Sequence, residues 1–107
     1  MRVFDARDMV KGWFVGDFPE SAYRTKVAEV AYKVHRQGEY WAKHYHRVAI
    51  EVNYLIRGRM IVNGRSLKSG DIFVVSTNET AEPEFLEDCE LIVVKIPSVV
   101  GDKYESV

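Results

Sequence analysis

One cysteine, Cys89, is all the thiol that this chain of 107 residues contains. An intrachain disulfide is therefore excluded, and a reducing compartment suits the protein. Cys89 stands between Asp88 and Glu90, whose carboxylates raise a thiol pKa, so it reads as a packing residue and not a nucleophile. Long apolar runs are missing as well. Nothing approaches the roughly 20 residues that span a bilayer, and the opening Met1, Arg2, Val3, Phe4 and Asp5 hold no signal-peptide core. A cytoplasmic protein without a membrane partner is expected. Neither sign of charge dominates: 15 Lys and Arg meet 16 Asp and Glu, for a net charge of −1. With no basic run, the electrostatic footprint of nucleic-acid binding is missing, and no nucleic-acid partner is expected. No Ser-His-Asp order, glycine-rich phosphate loop or cysteine pair occurs, which removes serine hydrolase, kinase and thiol-exchange readings. Helical stripes are absent too; residues 21–25 hold one helical turn at most.

What remains is strand. A hydrophobic share of 47% and an aromatic share of 12% suit one globular domain over residues 1–107. Periodicity is two almost throughout. Residues 27–34 alternate Val30, Tyr32 and Val34 with Glu29, Ala31 and Lys33, the pattern of a half-buried strand with its apolar side inward. Residues 51–56 and 60–62 follow as strands. Asn63-Gly64 then leads into residues 65–67, and both turn residues accept positive φ, which predicts a type I′ hairpin. A turn at residues 68–71, a buried strand over 72–75 and a last strand over 91–96, ended by Pro97, complete the series. Short strands punctuated about every ten residues predict an all-β sandwich or barrel.

Two of the chain's three histidines, His44 and His46, lie two apart in a strand-like segment. Their side chains project to one face, roughly 6–7 Å apart along the backbone. Glu51 opens the next apolar strand, so a carboxylate can return beside two imidazoles, and together the three can hold a metal. The intervals joining Gly38, His44, His46, Glu51 and Gly58 resemble the first signature motif of the cupin superfamily at every fixed position. The resemblance implies a small antiparallel β-barrel, or jelly roll, with His44, His46 and Glu51 as ligands to a divalent transition metal. Two imidazoles and a carboxylate with open positions suit Fe, Mn, Ni or Zn. It spans residues 27–96 and leaves an extension, 1–26, and a tail, 97–107. In small cupins an extension such as Met9 to Gly16 usually adds a strand, often to a partner subunit.

The second cupin motif is only partly matched. Gly70 and Asp71 fit its opening, whereas Ser76, Asn78, Ala81 and Phe85 stand where that motif has Pro, Gly, His and Asn. Asn78 visits the left-handed region more readily than other residues with a side chain. Ala81 cannot coordinate. Three outcomes stay open: a metal on three protein ligands, a substitute ligand from Glu82 or Glu84 after a bulge, or a pocket that has lost its metal and binds something else.

Around this centre, strand parity places Ala42 inward with the histidines and Trp41, Lys43 and Tyr45 outward. Asn53 and Leu55 share the parity of Glu51, and Asn53 can donate to a bound oxygen or bond within the barrel. Tyr40, Trp41 and Tyr54 read as packing or interface, His35 as a surface residue at a turn, and Arg57, Arg59 and Arg65 as a solvated hairpin end. Tyr54, Glu82 and Glu84 are the candidate proton-transfer groups. The expected function is metal-dependent chemistry on a small polar ligand such as a sugar or organic acid, of isomerase, epimerase or dioxygenase type. The alternative is a non-catalytic ligand-binding or sensor cupin. A homodimer is expected because a short chain has a limited core and the Trp13-Phe14 segment offers apolar area.

Overall fold

Eleven strands carry nearly all of the regular structure in the computed structural model, which describes residues 1–106. In chain order they are β1 (Trp13–Gly16), β2 (Tyr23–Arg24), β3 (Glu29–His35), β4 (His44–Tyr45), β5 (Ile50–Arg57), β6 (Arg59–Val62), β7 (Arg65–Lys68), β8 (Ile72–Val75), β9 (Pro83–Phe85), β10 (Cys89–Ile96) and β11 (Tyr104–Glu105). One 3-10 turn, Ala6–Asp8, precedes them, capped by the Asp5 carboxylate, which accepts from the Arg7 N–H. The all-β expectation holds. A six-stranded sheet runs β2-β1-β3-β10-β5-β8, a three-stranded sheet β7-β6-β9, and β4 pairs with β11.

The core lies where the inner faces of the two larger sheets meet. Leu55, Cys89, Leu91, Val93 and Val75 come from the first, Met60, Val62 and Phe85 from the second, and Ala81 packs with them. Cys89 is fully buried, as a packing residue must be, and burial together with Glu87 pushes its thiol pKa up. The hairpin at Asn63-Gly64 has positive φ at both residues, 51° and 77°, and pairs Val62 with Arg65. Asn78 also sits in the left-handed region, at φ 68°. At Gly58 a Cβ would come within 2.4 Å of the Asp88 carbonyl oxygen at φ 99°, so only glycine fits the tight β5–β6 turn there.

Three sequence expectations are corrected here. The strand over 72–75 is buried on one side only, since Ile72 and Val74 are exposed on the outer face of the sheet. Residues 23 and 24 form β2, parallel to β1, in place of a helical turn. More consequentially, β3 presents the opposite face to that expected: Glu29, Ala31 and His35 are buried, whereas Tyr32 and Val34 are exposed. Alternation reveals that a strand has two faces but not which one is interior, and here the interior face borders a polar cavity. The apolar residues form an outer face instead, in two rows across four strands. Tyr32, Ile92, Tyr54 and Ile72 make one row, and Val30, Val94, Val52 and Val74 the other. β1, from the N-terminal extension, joins this chain's own sheet beside β3.

Candidate metal centre

His44 and His46 approach the interior from a short, irregular segment that needs external support to hold its shape. His44 and Ala81 exchange both backbone hydrogen bonds, at 3.0 and 2.7 Å, and the His46 carbonyl accepts from the Asn78 N–H at 2.7 Å. The return from His46 to β5 is pinned by Asp102. Its carboxylate accepts from the N–H groups of Arg47, Val48 and Ala49, at 2.9 Å for the first and last. Burial alone would raise the Asp102 pKa, but these three donors and nearby His46 hold it below the usual carboxylate range.

This scaffold brings His44, His46 and Glu51 together. One ligand atom from each lies within 4.8 Å of the other two, and both imidazoles are buried. The His46 Nδ1 to Glu51 carboxylate distance is 3.4 Å. That separation fits one ion held between them, since donors ~2.1 Å from a tetrahedral metal stand roughly 3.4 Å apart. His44 uses Nδ1 against the Ala42 carbonyl at 2.9 Å, which fixes the ring and leaves Nε2 as the ligand nitrogen. Burial pushes the His46 pKa down, against the pull of Glu51, so its neutral, metal-binding form is favoured.

The three residues line a cavity of ≈ 260 Å³, a little below the ~300–1,000 Å³ range of pockets for drug-sized ligands, which suits a small molecule. Asn53 lines it too, 3% exposed, and its amide nitrogen has no hydrogen-bond partner. Ala81 and Phe73 contribute apolar wall. Other candidates lie elsewhere. Tyr54 is on the exposed outer face, and Glu82 and Glu84 border a second pocket with Tyr40. None of the three joins the His-His-Glu cluster.

Trp41, not Ala42, lines the cavity, because regular strand begins only at His44 and parity does not extend back to residue 41. His35 is not at the surface. It is buried, stacks on Phe85 at 4.3 Å, and shares the Glu39 carboxylate with the Trp41 indole N–H, both contacts being 2.5 Å. Trp13 is inside as well. The Nζ atoms of Lys33 and Lys95 lie 5.0 and 4.8 Å from its ring centre, and that of Lys103 lies 3.9 Å from that of Trp41. These lysines do not stand out in the sequence. A signal existed, since Lys95 shares the parity of Leu91 and Val93; Lys103 and Asp102 had none.

No family model matches the chain, and no curated protein does. Solved structures do. A Klebsiella pneumoniae protein with a double-stranded β-helix domain superposes with a TM-score of 0.70 at 21% identity, over 77% of this chain and 72% of that one. The Streptomyces nucleoside dehydratase Pac13 gives 0.64 at 14%, over 77% and 70%. A cupin-2 domain protein from Shewanella frigidimarina gives 0.56 at 14%, over 67% and 72%.

Proposed function

Since the chain has the cupin fold, a double-stranded β-helix, we propose that it binds a divalent transition metal through His44, His46 and Glu51 and acts on a small polar molecule in the adjoining cavity. The observation that carries this is the convergence of two buried imidazoles and a carboxylate on a cavity wall. Donors of this kind suit Fe, Mn, Ni or Zn. When bound, such an ion polarises a carbonyl or hydroxyl oxygen of the substrate or presents open positions for oxygen chemistry.

This chain's own residues do the rest. Asn53 offers a buried donor to a substrate oxygen, Trp13 and Trp41 shield the cavity from water, and His44 is oriented by the Ala42 carbonyl. Isomerisation, epimerisation or dehydration also requires a group that moves a proton. Lys33 lines the cavity with its pKa lowered to about 8, through burial and then through Lys95, Lys11 and Lys103, and it can carry a proton near neutral pH. That the Streptomyces neighbour is a nucleoside dehydratase supports an enzymatic reading. Ala81 favours a second reading, a ligand-binding or sensor protein, because it supplies no fourth ligand where it borders the cavity.

Elemental analysis of untagged protein tests the proposal. Stoichiometric metal in the wild type is expected, with loss in the His44→Ala/His46→Ala double variant. Full metal retained by that variant would sink the site assignment, and a metal-free wild type would leave the sensor reading. We further propose a cytoplasmic homodimer joined through the outer face of the large sheet.

A further inference from the structure

The cavity is unbalanced in charge. Lys11, Lys33, Lys95 and Lys103 all line it, and among the described residues Glu51 is the one carboxylate that does. None of the four lysines forms an ion pair with a carboxylate among the described residues. Two of them are not at the rim by accident of a flexible loop. Lys33 and Lys95 are half-buried on the adjacent strands β3 and β10, and share the inward parity of Ala31 and His35 and of Leu91 and Val93. Their Nζ atoms both lie over the Trp13 ring, 5.0 and 4.8 Å from its centre, and so within about 10 Å of each other. Lys103 lines the same cavity with its Nζ over Trp41.

Packing alone does not account for this arrangement. Each ammonium gains a cation–π contact with an indole ring, but two like charges over one ring still repel each other, and an anion between them relieves that repulsion. The one hydrogen bond that Lys33 makes, to the Lys11 carbonyl at 2.6 Å, leaves two of its three donors free. A second feature points the same way. The Asn53 amide nitrogen, buried in the same cavity, also lacks an acceptor.

We propose that the cavity contains an anion subsite in which Lys33, Lys95 and Lys103 hold the carboxylate or phosphate of a small organic substrate. The remaining oxygens of that substrate face Asn53 and the His44, His46 and Glu51 cluster. The substrate class of the proposed metal centre is thereby narrowed to small organic anions, and to that extent the inference rests on the function proposed above. A divalent ion on that centre adds positive charge next to the lysines and favours the same ligands.

Isothermal titration at low ionic strength, on untagged protein with its metal and after chelation, tests the subsite with three probes: inorganic phosphate, succinate and uncharged glycerol. Phosphate or succinate should bind at one equivalent, glycerol should not, and the tighter of the two anions identifies the group that is held. Lys33→Met/Lys95→Met should weaken anion binding about tenfold or more, as truncating close charge partners does. Lys68→Met, on an exposed hairpin, should leave it unchanged. Should the double variant fail to fold, Lys103→Met, at an exposed position, carries the test, with about a threefold loss expected. Equal anion affinity in wild type and in the cavity variants, or no anion binding by the wild type, overturns the subsite. Anion binding kept by a protein that never holds metal would sink the metal centre and leave the subsite standing, and metal held without any anion binding would do the reverse.

Discussion

At the scale of single residues, the consequence of Ala81 can be derived from its backbone. Residues that exchange both hydrogen bonds across antiparallel strands stand directly opposite, with side chains on one face. Ala81 and His44 make such a pair, so a longer side chain at 81 points toward the same cavity as the His44 ring. Ala81→His should therefore tighten metal binding by about tenfold or more, a gain of ~1.4 kcal/mol, and slow any metal-dependent turnover by filling an exchangeable position. Competition titration against a chelator decides it: unchanged affinity in a folded variant means residue 81 does not reach the ion. Lys33 makes a second prediction at this scale. Its folded pKa of about 8 lies below the ordinary lysine value of ~10.4, with Lys95, Lys11 and Lys103 facing it and Glu39 the carboxylate nearby. Below pH 8 the group is charged both folded and unfolded; between about 8 and 10.4 only the unfolded chain keeps the proton, so this lysine's contribution to stability rises with pH there. Binding of phosphate or succinate has the opposite sign. It should weaken as pH rises through about 8, and titrations across pH 6.5–9.5 that show no such decline would count against a role for Lys33.

At the scale of elements, the tail holds the site together. Asp102 closes the backbone between His46 and β5 from 55 residues away in sequence, and β11 pairs Tyr104 with Tyr45 and Glu105 with His44. Asp102→Ala leaves three N–H groups without acceptors. Because orphaned buried donors cost ~1–3 kcal/mol each and some here regain water, a loss of about 3 kcal/mol in urea unfolding is expected, together with weaker metal binding. A loss below about 0.5 kcal/mol, the range of ordinary surface substitutions, would show that the carboxylate does not hold the loop. The pH dependence follows from the lowered Asp102 pKa. Its stabilising contribution is complete above the unfolded value of ~3.9 and is lost as pH falls through the lower folded value. Element types were largely legible in the sequence: the Asn63-Gly64 hairpin, β5, β8 and β10 lie where period-two runs and turn residues place them. The orientation of β3 was not, because its polar residues border a cavity and its apolar ones face outward.

For the whole molecule, that outward face is the surface through which we propose the dimer forms. Tyr54 is 45% and Ile72 62% exposed, and the rows they belong to cross four strands without a charged member, bordered by Glu90, which is bonded by the Tyr32 hydroxyl and paired with Arg57. An apolar surface continuous over four strands is costly to leave in water, and a two-fold partner would bury it against its own copy. The Trp13-Phe14 segment, the surface expected from the sequence, instead packs Trp13 into the cavity. Light scattering should give a dimer at high micromolar concentration and a folded monomer for Tyr54→Lys/Ile72→Lys, since neither side chain belongs to the core. A monomeric wild type, or a double variant that stays dimeric, would remove this interface.

The sequence by itself determined the strand character of the chain, its main hairpin and the His44, His46 and Glu51 set. Those depend on turn chemistry and on residue intervals a few positions long, which act locally. Tertiary structure alone decided which face of β3 looks inward, that His35 and Trp41 belong to the cavity wall, and that Lys33, Lys95 and Lys103 converge beside the imidazoles. These depend on which strands become neighbours: β10 joins β3 to β5, β1 brings Trp13 beneath two lysines, and the tail folds back against His44. Alternation fixes a side chain's face relative to its own strand, but only pairing between distant segments decides what that face meets.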